Sequence, residues 1–463
     1  AIAPNGAEIR SSGAVFGEAG TGVAELRGLE PRTTYELTTD LGTTGSPDLV
    51  PGPVGSFRTF PTAGSTEPVT LVSTSCLQRG RMIGGRPLEN FRHVSDTVPD
   101  LDLFMFLGDT IYSDVPLGLG FNGIGYGGDV DLYRREYSQA LSDPDAHEFL
   151  SKSASLFMFD DHEIVNDYAE GEGTDRFKAG AKVWNEFVGG VNPDSNLTGT
   201  AFHYTFSIGN AEGFVFDTRT KRDHAQGVIV GREQLDDVIA WLIDTNNRRP
   251  NAFKFLVSPV GFSRNANIAD GNWNCGCPDC ITKDEAAASG VQCVNELDEL
   301  LGFIVASGVK NVVMVSGDAH KASVFELEPG LFEISASPLD ALASVPWGND
   351  VDTVLYEEGS LNSVFAVYKV DDEAVNVFIY GSPANVLIPT CAILFGTLFF
   401  ELVFLLICMR CRDDHMPFSG ILAVGGILVF GAISIAMCAI ALPLAGRDGD
   451  FEQPQFTFRI DAA

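Results

Sequence analysis

Four apolar stretches of strand length each run directly into polar residues, and this repeated arrangement most constrains the fold of the chain. The stretches cover residues 69–73, 103–107, 155–159 and 311–316. Continuous apolar runs of this length are typical of strands that are buried on both faces of a sheet. Because α/β proteins place their sites at the carboxyl ends of parallel strands, the pattern predicts an α/β fold with a polar site at that edge.

The polar residues at these strand ends are of the types that bind metal ions. A single Gly-Asp after a strand is ordinarily a turn, and a single cysteine is ordinarily a core thiol. Four such clusters in one chain instead favour a shared site that combines hard oxygen ligands with borderline ones. The candidates are Cys76, Asp109, Tyr112, Asp160, Asp161, His162, Asp318 and His320.

In their order along the chain, these motifs resemble those of the PhoD-like alkaline phosphatases, a family of calcineurin-like metallophosphatases. The resemblance covers about residues 65–382. Phe159 stands where the family usually has Trp, and the Gln that usually follows the cysteine directly comes one residue late, at Gln78. The matching motifs are Ser-x-Cys76, Leu-Gly-Asp109-x-Ile-Tyr112, Asp160-Asp-His-Glu163, Asn166-Asp-Tyr168, Phe216-Asp-Thr-Arg219, Ser258-Pro259 and Ser-Gly-Asp318-x-His320.

The resemblance implies a binuclear metal site, described for the family as iron with calcium. Asp109 would bridge the two metals, because a carboxylate has two oxygens to share. Cys76 and Tyr112 would bind Fe(III) as thiolate and phenolate, while Asp318 and His320 match the family's Gly-Asp-x-His ligands.

The resemblance also suggests roles for residues around this site. Asp161 stands where related enzymes have a metal-binding Asn, and His162 where they have a His that contacts the phosphate or the leaving group. Arg219 and Arg222 are candidates for a bidentate phosphate clamp, with ordinary ion pairs as the alternative. The weaker metal-ligand candidates are Asp160, Asn166 and Asp167.

These residues together predict a metal-dependent phosphatase that hydrolyses phosphate esters. Two cations can neutralise the phosphoryl oxygens and lower the pKa of a bridging water, whose hydroxide then attacks phosphorus. Phosphodiesterase or phospholipase D-like activity is one alternative. A second alternative is a non-catalytic surface module that binds a membrane partner on a decayed phosphatase fold. The retention of the ligand residues favours the enzyme.

The charge of the chain limits its partners. It has 62 acidic and 30 basic residues, for a formal net charge of −32. Such a chain is not expected to bind nucleic acid through a basic patch, because it would repel the phosphate backbone. A phosphate-ester substrate would be repelled at long range too, so its attraction must come from the bound metals.

Regular elements are expected along the whole phosphatase region, where strands alternate with helices. This alternation predicts a four-layer α/β sandwich, in which two mixed sheets are flanked by helices. Residues 116–129 are rich in glycine and could form a lid or a plain surface loop. Helices are expected at 87–97, 130–141, 175–188, 232–245 and 294–307, and further strands at 202–208, 213–217, 252–258, 323–327, 331–336, 363–370 and 374–380.

The first 62 residues resemble the later strands of a fibronectin III-like β-sandwich. A complete sandwich of this type needs about 100 residues, so only part of one is expected here. The sequence begins without Met or a signal peptide, which suggests a truncated or processed N-terminus. Residues 61–66 would be the linker to the phosphatase region.

Two apolar stretches near the C-terminus, residues 386–409 and 418–444, predict transmembrane helices. About 20 helical residues span a hydrocarbon core of ~30 Å. Arg410 and Arg412 in the connection favour a cytoplasmic location for it, which places the phosphatase region and an acidic tail, 445–463, on the extracellular or lumenal side. The alternative is a buried hairpin of core helices.

Four clustered cysteines, Cys275, Cys277, Cys280 and Cys293, are expected to form two disulfides if the compartment is oxidising, with a structural zinc site as the alternative. The sequon at Asn196 would fit an exposed, non-cytoplasmic loop.

Overall fold

The computed structural model describes most of the chain up to residue 383 and a short C-terminal segment. The predicted transmembrane segments, the four clustered cysteines, the sequon and most of the Gly-rich loop lie outside the described residues, so these expectations stay predictions. The described residues are 2–6, 8–9, 15–16, 19–42, 50–78, 89–114, 128–193, 202–223, 228–263, 273, 296–341, 352–359, 361–383 and 453–462.

Two mixed β-sheets form the centre of the α/β region. One has seven strands in the order β14-β12-β13-β11-β10-β9-β8, and the other has six in the order β17-β16-β15-β5-β6-β7. Their strands are β5 (Val69–Thr74), β6 (Leu103–Phe106), β7 (Ser155–Phe157), β8 (Tyr204–Ile208), β9 (Ala211–Val215), β10 (Phe253–Ser258), β11 (Val312–Ser316), β12 (Ala322–Glu328), β13 (Leu331–Ala336), β14 (Thr353–Glu358), β15 (Leu361–Val370), β16 (Ala374–Pro383) and β17 (Phe456–Asp461).

The strands that carry the predicted ligands are parallel to their neighbours. In the six-stranded sheet, β5, β6 and β7 run parallel. In the seven-stranded sheet, β9, β10, β11 and β13 run parallel. The carboxyl ends of β5, β6, β7 and β11 therefore present their following residues at the edges where α/β sites form.

Six α-helices are present in the described part of the chain. Those expected around 87–97, 130–141, 175–188, 232–245 and 294–307 are confirmed, with ends that shift by up to three residues, and a further short helix follows α2. The helices are α1 (Glu89–Thr97), α2 (Val130–Leu141), α3 (Pro144–Leu150), α4 (Asp175–Phe187), α5 (Gly231–Arg248) and α6 (Glu296–Ser307).

The apolar side chains divide into three clusters, which shows that the elements form four layers. One cluster lies between the two sheets and contains Leu71 and Met105 from one sheet with Phe255 and Val313 from the other. A second packs α1–α4 on the outer face of the six-stranded sheet. A third packs α5 and α6 on the outer face of the seven-stranded sheet. The predicted arrangement of two mixed sheets with helices outside is confirmed.

The N-terminal region contains two small antiparallel sheets. Strands β1 (Val15–Phe16) and β2 (Gly22–Val23) form one, and β3 (Thr34–Leu41) and β4 (Val50–Arg58) form the other. Arg32 links this region to the α/β region, because its guanidinium binds Asp102. The fibronectin III-like assignment stays a prediction.

The C-terminal strand β17 belongs to the six-stranded sheet, where it pairs antiparallel with β16. The predicted acidic tail, 445–463, therefore contains a structural strand. Ile460 is buried in the cluster between the sheets, and Phe456 and Phe458 pack against it. Among the helices of the described residues, none is long and apolar enough to cross a membrane.

Candidate metal centre

The backbone turns sharply at the strand ends that carry the candidate ligands. Cys76, Asp109, Asp318 and His320 all have positive φ angles, between 51° and 62°. Few residues other than glycine adopt this left-handed conformation, and it costs roughly 1–3 kcal/mol where the surrounding structure imposes it. Four such residues meet in one place, so the fold accepts this strain at the site.

Two glycines allow the strand ends to approach one another. A Cβ on Gly108 would lie 2.5 Å from the Cβ of Asp160, and Gly108 also has a φ of +100°. A Cβ on Gly317 would lie 2.7 Å from the Oγ of Ser75. Both distances are too short for real atoms, so the site requires glycine at these positions.

The candidate ligands form overlapping groups that share Asp109. In each group the potential ligand atoms lie within 4.8 Å of one another. One group contains Cys76, Asp109 and His320, a thiol, a carboxylate and an imidazole. Another contains the four carboxylates of Asp109, Asp160, Asp161 and Asp318, and a third contains Asp109, Asp161 and His162.

Tyr112 lies beside the first of these groups. Its hydroxyl is 3.0 Å from Nε2 of His320, and its ring stacks on that of His162 with the centroids 3.9 Å apart. The phenol thus joins the thiol and the imidazole, and this donor set suits a transition metal. The carboxylate group on the other side of Asp109 suits a hard cation such as calcium.

The thiol of Cys76 is buried and lies 3.4 Å from Oδ2 of Asp109, while Ser337 donates a hydrogen bond to its Sγ at 3.1 Å. Burial, together with the charge of Asp318, raises the pKa of Cys76 to about 12. A metal cation is the partner that favours the thiolate in such surroundings.

The carboxylates also need a cation. Burial raises the pKa of Asp109 well above its usual value, and the charges of Cys76 and Asp161 add to the effect. Oδ2 of Asp160 is buried without a hydrogen-bond partner in the described part of the chain, and Oδ1 of Asp161 has the ion pair with Nη2 of Arg219, 3.5 Å away, in place of a hydrogen bond. Buried carboxylate oxygens of this kind are ordinarily paired or bound to metal, so the residues present fit a metal centre.

Glu163 holds the turn on which Asp109 lies. Its carboxylate accepts hydrogen bonds from the backbone N–H groups of Asp109 at 3.0 Å, Thr110 at 2.5 Å and Asp160 at 3.0 Å. It therefore ties the end of β6 to the turn after β7, which brings Asp109 and Asp160 together.

Asp114 is a site residue that the sequence analysis did not identify. Its carboxylate lies 2.6 Å from Nδ1 of His162 and also accepts the backbone N–H of Asn166 at 2.9 Å. Burial disfavours the charged imidazole, but the carboxylates of Asp161 and Asp114 prevail and raise the pKa of His162 to about 10. The signal in the sequence was a second aspartate after β6, two residues beyond Tyr112.

Arg219 and Arg222 are fully buried. Nε of Arg219 donates to Asp160 at 2.5 Å, and its Nη2 lies 3.5 Å from Asp161. This geometry matches the ion-pair alternative for Arg219 rather than the phosphate clamp. Burial and the charge of Arg219 lower the pKa of Arg222 to about 9.

A sequence profile of the PhoD-like phosphatases matches residues 71–346, which is more than half of the chain. The chain belongs to the PhoD-like phosphatase family. The match includes every candidate ligand from Cys76 to His320.

One curated relative of this PhoD-like chain is the alkaline phosphatase D of Bacillus subtilis (strain 168). The two sequences are 23% identical over 335 residues, which are 64% of this chain and 52% of the relative. The PhoD-like chain thus spans about half the length of the relative it matches.

Solved structures show the same fold. The structure of PhoD aligns with a TM-score of 0.59 and 18% identity, over 77% of this chain and 73% of that one. The purple acid phosphatase PPD1 from yellow lupin (Lupinus luteus) seeds aligns with a TM-score of 0.54 and 11% identity, over 77% of this chain and 59% of that one. The metallophosphatase fold predicted from the sequence is confirmed.

The structure of this PhoD-like chain gathers most of the predicted site residues in one place. Asn166 and Asp167 lie at the rim, where the side-chain amide of Asn166 donates to the carboxylate of Asp167, and the backbone N–H of Asp167 donates to Asp161 at 2.6 Å. The residues that meet are Cys76, Asp109, Tyr112, Asp160, Asp161, His162, Asp318 and His320.

Proposed function

We propose that this protein is a metal-dependent phosphatase that hydrolyses phosphate esters. The observation that carries the proposal is the position of Asp109, which is shared between a group with thiol and imidazole donors and a group made only of carboxylates. A carboxylate that belongs to both groups can bridge a transition metal and a hard cation. Membership of the PhoD-like phosphatase family supports the same activity.

We propose Fe(III) with Ca(II) as the metals. Cys76, Tyr112 and His320 would hold the iron, and Asp161 and Asp318 the calcium, with Asp109 common to both. When bound, two such cations neutralise the phosphoryl oxygens and supply a nucleophilic hydroxide at neutral pH.

His162 is the proposed proton donor to the leaving oxygen. Its Nδ1 is occupied by the hydrogen bond with Asp114, which leaves Nε2 to face the substrate. This arrangement fixes the orientation of the ring, as a general acid requires. Its stacking on Tyr112 holds the imidazole from a second direction.

Arg219 acts on the carboxylates of the site and not on the substrate. Because its guanidinium contacts Asp160 and Asp161, it offsets part of the negative charge that the metal ligands concentrate. It therefore positions these carboxylates, and the proposed contact with phosphate passes to His162 and the metals.

The proposal is tested by elemental analysis of the purified protein, together with hydrolysis of mono- and bis-nitrophenyl phosphate. Asp109→Asn should lower the rate of hydrolysis by at least about 100-fold, since bridging metals contribute several kcal/mol to transition-state stabilisation. Asp372→Asn, at an exposed position, is the matched control. A metal-free protein without activity on either substrate would favour the binding-module alternative. Preference for the diester would favour a phosphodiesterase.

We further propose a membrane location, with the bilayer as a partner and the phosphatase region on the extracellular or lumenal side. Two apolar stretches in residues 384–452 support it. The pairing of Ile379 with Phe456 is consistent with two spans. The chain leaves at the end of β16 and returns at the adjacent end of β17, so the intervening segment would cross a membrane an even number of times.

A further inference from the structure

A small cavity with several polar side chains in its lining lies beside Asp318, on the outer face of the seven-stranded sheet. Its volume is about 10 Å³, which is room for one particle the size of a water molecule. Strands β12 and β13 supply four of its nine lining residues. Gly261 and Ser263 follow β10, and Asp318, Ala319 and Lys321 lie between β11 and β12. The polar side chains that line it from the two strands are those of Ser323, Glu333 and Ser335.

The register of the two strands places these side chains together. Ser323 pairs with Ser335 across the antiparallel ladder. Val324 and Ile334 point into the core between the sheets. Because side chains alternate along a strand, Ser323, Glu333 and Ser335 share the opposite face.

Each of the three side chains has an oxygen without a hydrogen-bond partner among the described residues. These oxygens are Oγ of Ser323, Oε2 of Glu333 and Oγ of Ser335. All three residues are at most 2% exposed, so bulk water does not reach the oxygens. Leaving buried polar oxygens unpaired costs free energy, and three that line one cavity point to a bound particle that contacts them.

The other oxygen of Glu333 is held rigidly. Oε1 accepts a hydrogen bond from Oγ of Ser316 at 2.6 Å and another from the backbone N–H of Phe262 at 2.7 Å. These bonds fix the carboxylate so that Oε2 is directed to the cavity. They also tie it to the end of β11, two residues before Asp318.

The charge around the cavity calls for a cation. Lys321 also lines the cavity and its charge acts on Glu333, but its ammonium group is paired with the carboxylate of Glu357 at 2.5 Å. Asp352 is a further acidic neighbour of Glu333, and Asp318 lines the cavity. Burial raises the pKa of Glu333 to about 7, which reflects a carboxylate without a sufficient partner.

We propose that this cavity binds one alkali cation, Na⁺ or K⁺, through the carboxylate of Glu333 and the hydroxyls of Ser323 and Ser335. All of these ligands are hard oxygens, which suit such ions. One unpaired carboxylate balances one positive charge. A divalent ion such as Mg²⁺ or Ca²⁺ would carry one positive charge more than this carboxylate balances, and Mg²⁺ would also need room for the waters that it retains.

The test is thermal unfolding of the full chain in NaCl, KCl and choline chloride at equal ionic strength. Choline is too large for the cavity but screens the charge of −32 to the same degree. The wild-type midpoint should be higher in Na⁺ or K⁺ than in choline. At ion concentrations above the dissociation constant, each tenfold rise in the concentration of the ion that binds should add about 1.4 kcal/mol to the free energy of unfolding.

Three variants locate the effect. Glu333→Gln keeps the shape of the side chain but removes its charge, and it should abolish the difference between alkali cations and choline. Ser323→Ala should weaken the dependence on cation concentration, which keeps the test decisive if Glu333→Gln does not fold. Glu373→Gln removes an exposed carboxylate elsewhere and should retain the full difference.

Two results would overturn the proposal. If wild-type protein unfolds at the same temperature in all three salts, the cavity binds water and no cation. If Glu333→Gln and Ser323→Ala retain the alkali-specific increase, the cation binds elsewhere. Neither result depends on hydrolysis, so the proposed phosphatase function stands or falls separately.

Discussion

At the scale of single residues, the surroundings give chemically similar carboxylates different tasks. Asp109 lies among other ligands and suits a bridging position, while Asp114 binds His162 and a backbone N–H. Asp160 is bound to Arg219, and Glu163 accepts three backbone hydrogen bonds. Each role follows from the partner that the fold supplies, because the side chains themselves are nearly the same.

Asp114→Asn should lower the turnover number by roughly 10- to 100-fold, as loss of a partner that orients a site histidine commonly does. The amide cannot hold the imidazolium of His162 as the carboxylate does. The loss should be larger for alkyl phosphates than for nitrophenyl phosphate, because a good leaving group needs little protonation.

The measurement is the turnover number and KM of both substrates for wild type and Asp114→Asn. Asp96→Asn, exposed on α1, is the control and should change neither value. An equal loss for both leaving groups would mean that Asp114 supports the structure of the site and not proton transfer.

The ionisation of Glu333 should make the free energy of unfolding depend on pH in the absence of alkali cations. Its pKa is raised to about 7 in the folded protein, against an ordinary value of 4.5. Between these values the folded state holds a proton that the unfolded state has lost. The contribution to stability is therefore full below about pH 4.5 and falls as the pH rises to about 7, by up to about 3 kcal/mol.

Urea unfolding at pH 5 and pH 8 in choline chloride checks this expectation. Relative to Glu333→Gln, wild type should lose stability between the two pH values, because the glutamine does not ionise. Parallel pH profiles for the two proteins would show that folding does not raise the pKa of Glu333. Added K⁺ should restore part of the loss at pH 8.

At the scale of elements, the site is built from the residues that directly follow four strands. Four strands deliver ligands, and the turns after β5, β6 and β11 adopt left-handed backbone conformations at the ligands themselves. Neighbouring turns are then so close that a methyl group added at Gly108 or Gly317 would collide with the next turn. The approach of Gly108 to Asp160 is the tightest case among the turns that carry ligands.

Gly108→Ala should displace Asp160 and lower both activity and bound metal. Its φ of +100° would add strain of roughly 1–3 kcal/mol to the steric conflict. Gly302→Ala is the matched control, since it lies exposed in α6 with nothing within 4 Å of the added Cβ. The control should be stabilised by up to about 1 kcal/mol and keep its activity.

Metal content by elemental analysis and the free energy of unfolding by urea titration distinguish the two variants. Normal metal content in Gly108→Ala would contradict the close packing of the two turns.

At the scale of the whole molecule, the sheet continues after a long insertion. Strand β16 ends at Pro383, and its neighbour β17 begins at Phe456. The phosphatase region is therefore assembled from two parts of the sequence that lie on either side of the two apolar stretches. If these stretches cross a membrane, both parts must remain on the same side of it.

Protease added outside intact cells should digest the phosphatase region and a tag placed after Ala463. A tag inserted after Asp413, between the two apolar stretches, should be protected. Arg410 and Arg412 favour this orientation, because positive residues are enriched in cytoplasmic connections. Immunoblots of the two tags before and after lysis measure the outcome. Protection of the C-terminal tag with loss of the internal one would reverse the proposed orientation.

Much of the fold and most of the metal centre could be predicted from the sequence. The buried strands are continuous apolar runs and the helices follow a 3.6-residue period, so both are visible within short windows. The ligands directly follow strands in a set order, which made Cys76, Asp109, Tyr112, Asp318 and His320 recognisable. Local pattern was sufficient because each of these positions is defined by the strand before it.

Only the tertiary structure decided which distant groups pair. Asp114 reaches His162 across 48 positions, and Arg219 reaches Asp160 across 59. The cavity at Glu333 depends on the register of β12 against β13, and the place of β17 depends on β16. Such partners are set by strand order and by the packing of layers. A short stretch of sequence carries little information on either, because the same residue types would suit an exposed ion pair or an edge strand equally well.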